Sequence, residues 1–245
     1  MRVVVHQPYF LPWLGYFSKL AFSDAFIILD DVNFRKRHYY DRTRIVNMHG
    51  EIQWLGLPVG ENFRVKCCDV IVRDDSFRSA LVATIAHSYA KALKFEAEIE
   101  PITQILLSSI CAKSSLVKVN IDIILSLLGH LKIPKPQIFY SSSFAKPEDA
   151  TARIVALCQQ VNASEIVIGG GSSIDIHNWQ QVRSSGIRVF VQDYMASHPI
   201  YQQTRRRLVP FQPGLSIIDS LLNVGSDQTY ELITSSIFTP QPFEE

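Results

Sequence analysis

Two short stretches near the start of the chain gather most of the groups that could do chemistry. Residues 6–17 read HQPYFLPWLGYF, and residues 29–37 read LDDVNFRKR, with Arg42 and Arg44 following. His6 closes an apolar run at 3–5 that reads as a buried strand, so its imidazole is presented where a strand opens into a loop. An imidazole there suits a general base or a phosphate ligand. Pro8 and Pro12 stiffen the loop, because proline fixes φ near −65°. Gly15 would let a ligand approach the backbone at the start of the next helix, an end that favours anions. Gln7, Tyr9, Phe10, Trp13 and Tyr16 offer an amide and flat faces on which a base or sugar ring could stack, although aromatic rings at such spacing also read as core. Asp30 and Asp31 end the second apolar strand, at 25–29. Strand alternation sends them in opposite directions unless the strand has already ended, and one could serve as base, magnesium ligand or arginine partner. Lys36, Arg37 and Arg44 carry the planar forks and point charges that match phosphate, although a run of cations also reads as a solvated face.

Further along, three more segments follow predicted strands. Gly169, Gly170, Gly171 and Ser172 form a loop whose free N–H groups could cradle an anion, but no GK[ST] follows, so this is not a P-loop. Asp193, His198, Tyr201 and Gln202 come after the last strand, with His198 a second candidate acid or base. Ser216 has the look of a helix cap. Asp219 and Asn223 stand four apart on an otherwise apolar helix, where buried polar groups need partners. The alternative there is a polar network that locks the C-terminal helix in place.

The elements that must position these groups follow from periodicity. After the opening strand–loop–helix–strand unit, residues 42–48 and 51–59 read as a hairpin about His49-Gly50. Residues 76–132 read as helical throughout: one helix capped by Asp75 or Ser76, a second opened by Glu100-Pro101, and a third over 116–131. From residue 134 strands and helices alternate, with strands at 137–140, 165–168 and 187–191 and helices at 147–161 and 175–183. That grammar predicts right-handed crossovers and a mostly parallel, Rossmann-like α/β sheet flanked by helices. The expected organisation is one domain over 1–245: an N-terminal α/β unit at 1–75 with an inserted β-hairpin, a helical middle third at 76–132, a C-terminal α/β unit at 133–238 and a frayed Pro-rich tail at 239–245.

Composition bounds the function. The 245 residues carry a net charge of +1 and 47% hydrophobic residues, so no strong overall field draws the chain to nucleic acid. No apolar run approaches the roughly 18 residues a membrane span needs, and no signal peptide is read. The four cysteines lack metal-type spacing and read as reduced thiols. No metal site is evident from spacing.

With these residues in hand, the chain resembles the WbqC-like protein family along essentially its whole length. The resemblance is carried by HQPYFLPWLGYF and LDDVNF-RKR at the start, and by QDYMASHPIYQQ and FQPGLSIIDSLLNVG near the end. The family pattern maps onto His6, Gln7, Pro8, Pro12, Gly15, Tyr16, Asp30, Asp31, Arg44, Pro199, Tyr201, Ser216, Asp219 and Asn223. The GGGSS at 169–173 departs from it. The resemblance implies a cytoplasmic role in making O-antigen or capsule precursors. The opening unit is also similar, at fold level, to HIGH-motif nucleotidyltransferases, with Gly15-Tyr16 where Gly-His would stand and no KMSKS-like segment evident. Together these give the expectation of a transferase or ligase acting on a nucleotide or nucleotide-linked sugar, with ATP or a nucleotide-sugar and Mg²⁺ as the cofactors to consider and a homodimer as an assembly to consider. His6 would be general base or phosphate ligand, Asp30 or Asp31 would orient a nucleophile or magnesium, Arg37 and Arg44 would hold diphosphate, and His198 would be a second acid or base. The alternative is a non-catalytic binder of a sugar nucleotide or a partner enzyme.

Overall fold

In the computed structural model, residues 1–60, 65–171, 173–204 and 209–243 are described. Parallel strands β1 (Arg2–His6), β2 (Ala25–Ile28), β5 (Gln137–Tyr140), β6 (Glu165–Gly169) and β7 (Arg188–Gln192) make the body of one sheet in the order β5-β2-β1-β6-β7. A short antiparallel strand, β8 (Gln241–Pro242), extends it beyond β7. The tail is therefore pinned at 241–242 against Phe190 and Val191, where the sequence suggested fraying. A separate antiparallel pair, β3 (Arg42–Val46) and β4 (Ile52–Gly56), is the inserted hairpin.

Alternation along the strands sets which face is which. Val3, Ala25, Ile27, Ile166, Ile168 and Val189 point to one face, where they pack with Ile154, Leu157 and Cys158 of α5 (Ala150–Gln160) and Val182 of α7 (Trp179–Ser184). Val4, Phe26, Ile28 and Val167 point to the other. There they join the larger core made with α1 (Leu14–Ala21), α2 (Arg78–Tyr89), α3 (Phe95–Ser109), α4 (Leu116–His130) and α8 (Ile217–Thr234). Val3 pairs with Ala25 and Val4 with Phe26, so a one-residue slip would exchange the two cores. Among the described residues no helix is long and apolar enough to cross a membrane.

Several boundaries differ from the sequence expectation, each for a local reason. The hairpin turn is 47–51 and not His49-Gly50 alone. The Asn47 Oδ1 accepts from the N–H groups of His49 (2.9 Å) and Glu51 (3.0 Å), and this side-chain turn takes over from the ladder. The second middle helix opens at Phe95 and carries Pro101 inside it. Its first turns are worth keeping because Glu98 is buried and accepts from His130 Nε2 (2.6 Å) and from the Ser226 N–H (2.7 Å). The helix expected at 175–183 is two pieces, α6 (Ser173–Ile176) and α7, separated where Asn178 caps α7 through the Gln181 N–H (3.0 Å).

Sheet order fixes where a ligand can sit. From β1 the chain crosses to β2 on one side and later reaches β5 on that same side. It then returns past β1 to β6 and moves outward to β7. The direction of winding thus reverses between β1 and β6, and the crevice outside the carboxyl ends of these strands is the expected binding place of a doubly wound sheet.

Candidate ligand crevice at the switch point

A pocket of about 450 Å³ opens at that reversal. It is built from the loop after β1 (Tyr9, Trp13, Gly15), the glycines after β6 (Gly169, Gly170, Gly171) and the segment after β7 (Gln192 to Met195). Lys19 of α1, Tyr39, Arg44 of β3 and Gly214 complete it. The volume lies within the roughly 300–1,000 Å³ usual for small-molecule sites, and the walls combine four aromatic rings and five glycines with four polar or charged side chains.

The loop after β1 is held from three sides. Its Leu11 carbonyl accepts from Thr43 Oγ1 and from Ser216 Oγ, both at 2.9 Å, and its Pro12 carbonyl accepts from the Ile217 N–H at 2.8 Å. Asn120, fully buried on α4, donates from Nδ2 to the carbonyls of Pro8 (2.9 Å) and Tyr40 (2.8 Å). Leu11 sits at φ 43°, a conformation costly for a bulky L residue. The bonds to its carbonyl and the prolines on either side hold it there. Asn120 was not evident from sequence, where it reads as one polar residue in a helical stripe.

Glycine is needed at two points for contact with neighbouring side chains. A Cβ on Gly15 would lie 2.4 Å from the Trp13 indole, and a Cβ on Gly170 would lie 2.3 Å from Asp193 Cγ. The space above Gly15 is taken by Trp13, so this glycine shapes the crevice by letting the indole fold back over the helix start. Trp13 in turn lies at 15° to the His198 ring and meets Tyr194 edge-on.

The crevice carries charge of both signs. Arg44 donates from Nη2 to the carbonyls of Gly214 (3.0 Å) and Pro213 (3.3 Å), while its buried Nε has no partner among the described residues. Asp193 is exposed and accepts from the Ala196 N–H at 3.1 Å. Lys19 is half-buried, and burial lowers its ammonium pKa to about 8. It stands four residues after Gly15, on the same helix face, and a lysine stem leans toward the helix start. That spacing was the available signal for Lys19, which otherwise reads as an ordinary basic residue in a last helical turn.

The other expected site residues fall into three groups. Tyr9, Trp13, Gly15, Arg44, Gly169, Gly170, Gly171 and Asp193 line the crevice. His6 lies behind it, ringed by Tyr9 (4.9 Å) and Tyr16 (4.8 Å). Its Nδ1 donates to the Gln7 carbonyl at 3.0 Å, and the Tyr16 hydroxyl donates to the same carbonyl at 2.8 Å. Burial, then the Lys19 charge, pulls the His6 pKa down to about 3, so the ring is neutral with Nε2 unprotonated. Phe10 and Tyr16 are core. Gln7 accepts from the Tyr9 hydroxyl at 3.4 Å.

The remaining groups are engaged elsewhere. β2 ends at Ile28, so Asp30 and Asp31 escape strand alternation and both turn to the Ser141–Ser143 turn after β5. Asp30 accepts from the Ser142 N–H (2.9 Å) and Ser142 Oγ (2.5 Å). Asp31 pairs with Lys146 at 2.7 Å and accepts from Ser141 Oγ. Burial would raise the Asp31 pKa, but Lys146 and Ser141 hold it below the usual carboxylate range. Lys36 and Arg37 face solvent. His198 donates from Nδ1 to the Pro199 carbonyl (3.0 Å) and accepts at Nε2 from the Gly214 N–H (3.2 Å), so both ring nitrogens clip the loop together. Tyr201, Asp219 and Asn223 form a buried network with Tyr89 and Gln203, and Ser216 caps α8. Gln202 is exposed, and Ser172 lies outside the described residues. Among the described residues no three His, Cys, Asp or Glu side chains converge as metal ligands.

Fold and crevice together define a doubly wound α/β protein with an open crevice at its switch point. The model of the WbqC-like protein family matches residues 7–231, and the chain belongs to that family. It is 29% identical over 230 residues to the uncharacterized protein Rv1507c of Mycobacterium tuberculosis, covering 92% of this chain and 95% of that one. No solved structure matches it.

Proposed function

We propose that the crevice binds a nucleotide-linked sugar and that the protein is a transferase or ligase acting on such a precursor of bacterial surface polysaccharide in the cytoplasm. The observation that carries this reading is the composition of the crevice at the switch point: the rings of Tyr9, Trp13, Tyr39 and Tyr194 beside a glycine loop and the Arg44 guanidinium. Aromatic faces suit a base or sugar ring, and a guanidinium beside backbone N–H groups suits a phosphate. Family membership supports the biosynthetic setting, since WbqC-like proteins are associated with surface-polysaccharide gene clusters. Transfer of an acyl or aminoacyl group to an amino sugar is the most concrete version. His6, kept neutral by burial behind the crevice, is not suited to act as a cationic phosphate ligand, and its lowered pKa makes it a weak base. If the substrate brings Mg²⁺ with its phosphates, Asp193 is the carboxylate at the crevice that could share it.

A second reading, non-catalytic binding of the same ligand, draws on the fact that His198, Asp30 and Asp31 spend their polar atoms inside the protein. One experiment tests the binding that both readings share, and a turnover assay then separates them. Thermal unfolding is followed with UDP, ADP, UDP-glucose and UDP-N-acetylglucosamine, with and without Mg²⁺. A ligand at a hundredfold excess over its Kd stabilises by about 2.7 kcal/mol, or roughly 5–10 °C for a chain of this size. We expect a nucleotide-sugar to give that shift, and no shift with any of the four would overturn both readings. Binding without turnover of the acyl- or aminoacyl-acceptor would favour the second.

A further inference from the structure

Among the described residues, Lys19 differs from the other partly or fully buried charges that carry an ion pair. The Asp31 carboxylate has Lys146 at 2.7 Å, Glu98 has His130 at 2.6 Å, and Glu165 has Arg2 at 2.6 Å. Lys19 is half-buried in the wall of the crevice, and among the described residues no hydrogen bond or ion pair engages its ammonium. Its ammonium stands without a partner from these residues, placed where an anion in the crevice would supply the counter-charge. Arg44 lines the same crevice, so the two cations share one space.

We propose that Lys19 and Arg44 form a two-cation clamp for the diphosphate of the ligand, with Lys19 the member whose charge is switched by pH and restored by the anion. The proposal rests on the reading of the crevice as a nucleotide-sugar site, and names the residues that hold its anionic part. Arginine stays charged throughout, whereas an ammonium kept from water gives up its proton readily. Burial brings the Lys19 pKa down to about 8, from 10.5. The sign follows: near pH 7 most free protein carries the ammonium, and near pH 9 most does not, so anion binding at pH 9 must first take up a proton. The other groups at this space do not produce the same profile. His6, at the end of β1, has a pKa of about 3, and Tyr9 is pushed up to about 12 by burial. Burial likewise raises the Tyr194 hydroxyl. Tyr39 and Asp193 share the space, and Asp193 is the one carboxylate among these groups.

The test is calorimetric titration of inorganic diphosphate and of UDP into wild type, Lys19→Met and Lys19→Arg between pH 7 and pH 9, in two buffers of different ionisation enthalpy. We expect Lys19→Met to lose at least tenfold in diphosphate affinity at pH 7. Wild-type affinity should fall about tenfold from pH 7 to pH 9 beyond the change seen with Lys19→Arg. The buffer pair should report uptake of close to one proton by wild type at pH 9 and less by Lys19→Arg. Because Lys19→Met removes an unpaired, half-buried charge, it should unfold at the same temperature as wild type or higher. Diphosphate affinity equal in Lys19→Met and wild type, or no diphosphate binding by wild type, overturns the clamp. Failure of the nucleotide reading looks different: diphosphate then obeys the expected pattern while UDP binds no more tightly than diphosphate.

Discussion

Asp219→Ala is expected to destabilise the protein by about 2–4 kcal/mol at pH 7, and by about 1 kcal/mol more at pH 5. The carboxylate is almost fully buried in the first turn of α8. It accepts from Tyr201 Oη at 2.7 Å, from Tyr89 Oη at 3.0 Å, from Gln203 Nε2 at 3.0 Å and from Asn223 Nδ2 at 3.3 Å. Truncation leaves these buried donors short of an acceptor, each at a cost of about 1–3 kcal/mol, partly offset because a buried carboxylate is also removed. Burial raises the Asp219 pKa from 3.8 to about 6 against the pull of those hydrogen bonds. A carboxyl raised on folding binds more protons in the folded state, so its contribution to stability is full below the unfolded value and is lost as pH rises through about 6. The penalty of the mutation must therefore grow on acidification. Urea unfolding of both proteins at pH 5 and pH 7 measures this, and a penalty that shrinks at pH 5 would contradict it. The network joins α2, the segment at 201–204 and α8, so the damage should extend to the Gly214 side of the crevice.

Asn120→Ala is expected to cost a similar amount, about 2–4 kcal/mol, because the carbonyls of Pro8 and Tyr40 lose a buried donor together. The functional consequence is more specific. Pro8 precedes Tyr9 and Tyr40 follows Tyr39, and both of those rings wall the crevice. Asn120 thus acts as a positioning residue, tying two loops together from behind. The expected result is a loss of ligand affinity larger than in a core variant of equal stability cost remote from the crevice, such as Val182→Ala between the sheet and α7. Equal affinities in the two variants would show that the loops hold their places without Asn120.

Much of the sheet was legible because its signal is periodic. Apolar runs between helices predicted β1, β2, β5, β6 and β7, and the chain order alone placed the glycines at 169–171 and Asp193 at the same carboxyl edge as the first loop. Asp219 was legible as a polar group on an apolar face, with a partner network as one of its two readings. What failed depended on where a local bond ends an element. The two aspartates converge on one serine turn because β2 stops two residues before Asp30, which neither hydropathy nor alternation reveals. His198 looks chemically free in sequence, yet its ring nitrogens are consumed by Pro199 and Gly214, contacts that exist only once the loop has closed. Lys19 was missed for the opposite reason: a lysine in a last helical turn has an ordinary explanation in the helix dipole, and only the sheet topology turns its stem into the crevice.

A ligand seated in the crevice between the ends of β1 and β6 would shield the backbone that lines it. Amide hydrogen exchange of the wild-type protein, with and without saturating UDP, tests this most directly. Slowed exchange is expected at 13–19, 169–171 and 192–195, with little change at Asp30, Asp31 and the Ser141–Ser143 turn. Protection confined to that turn, or to the separate surface pocket lined by Met48, His49 and His87, or no protection anywhere, would contradict it.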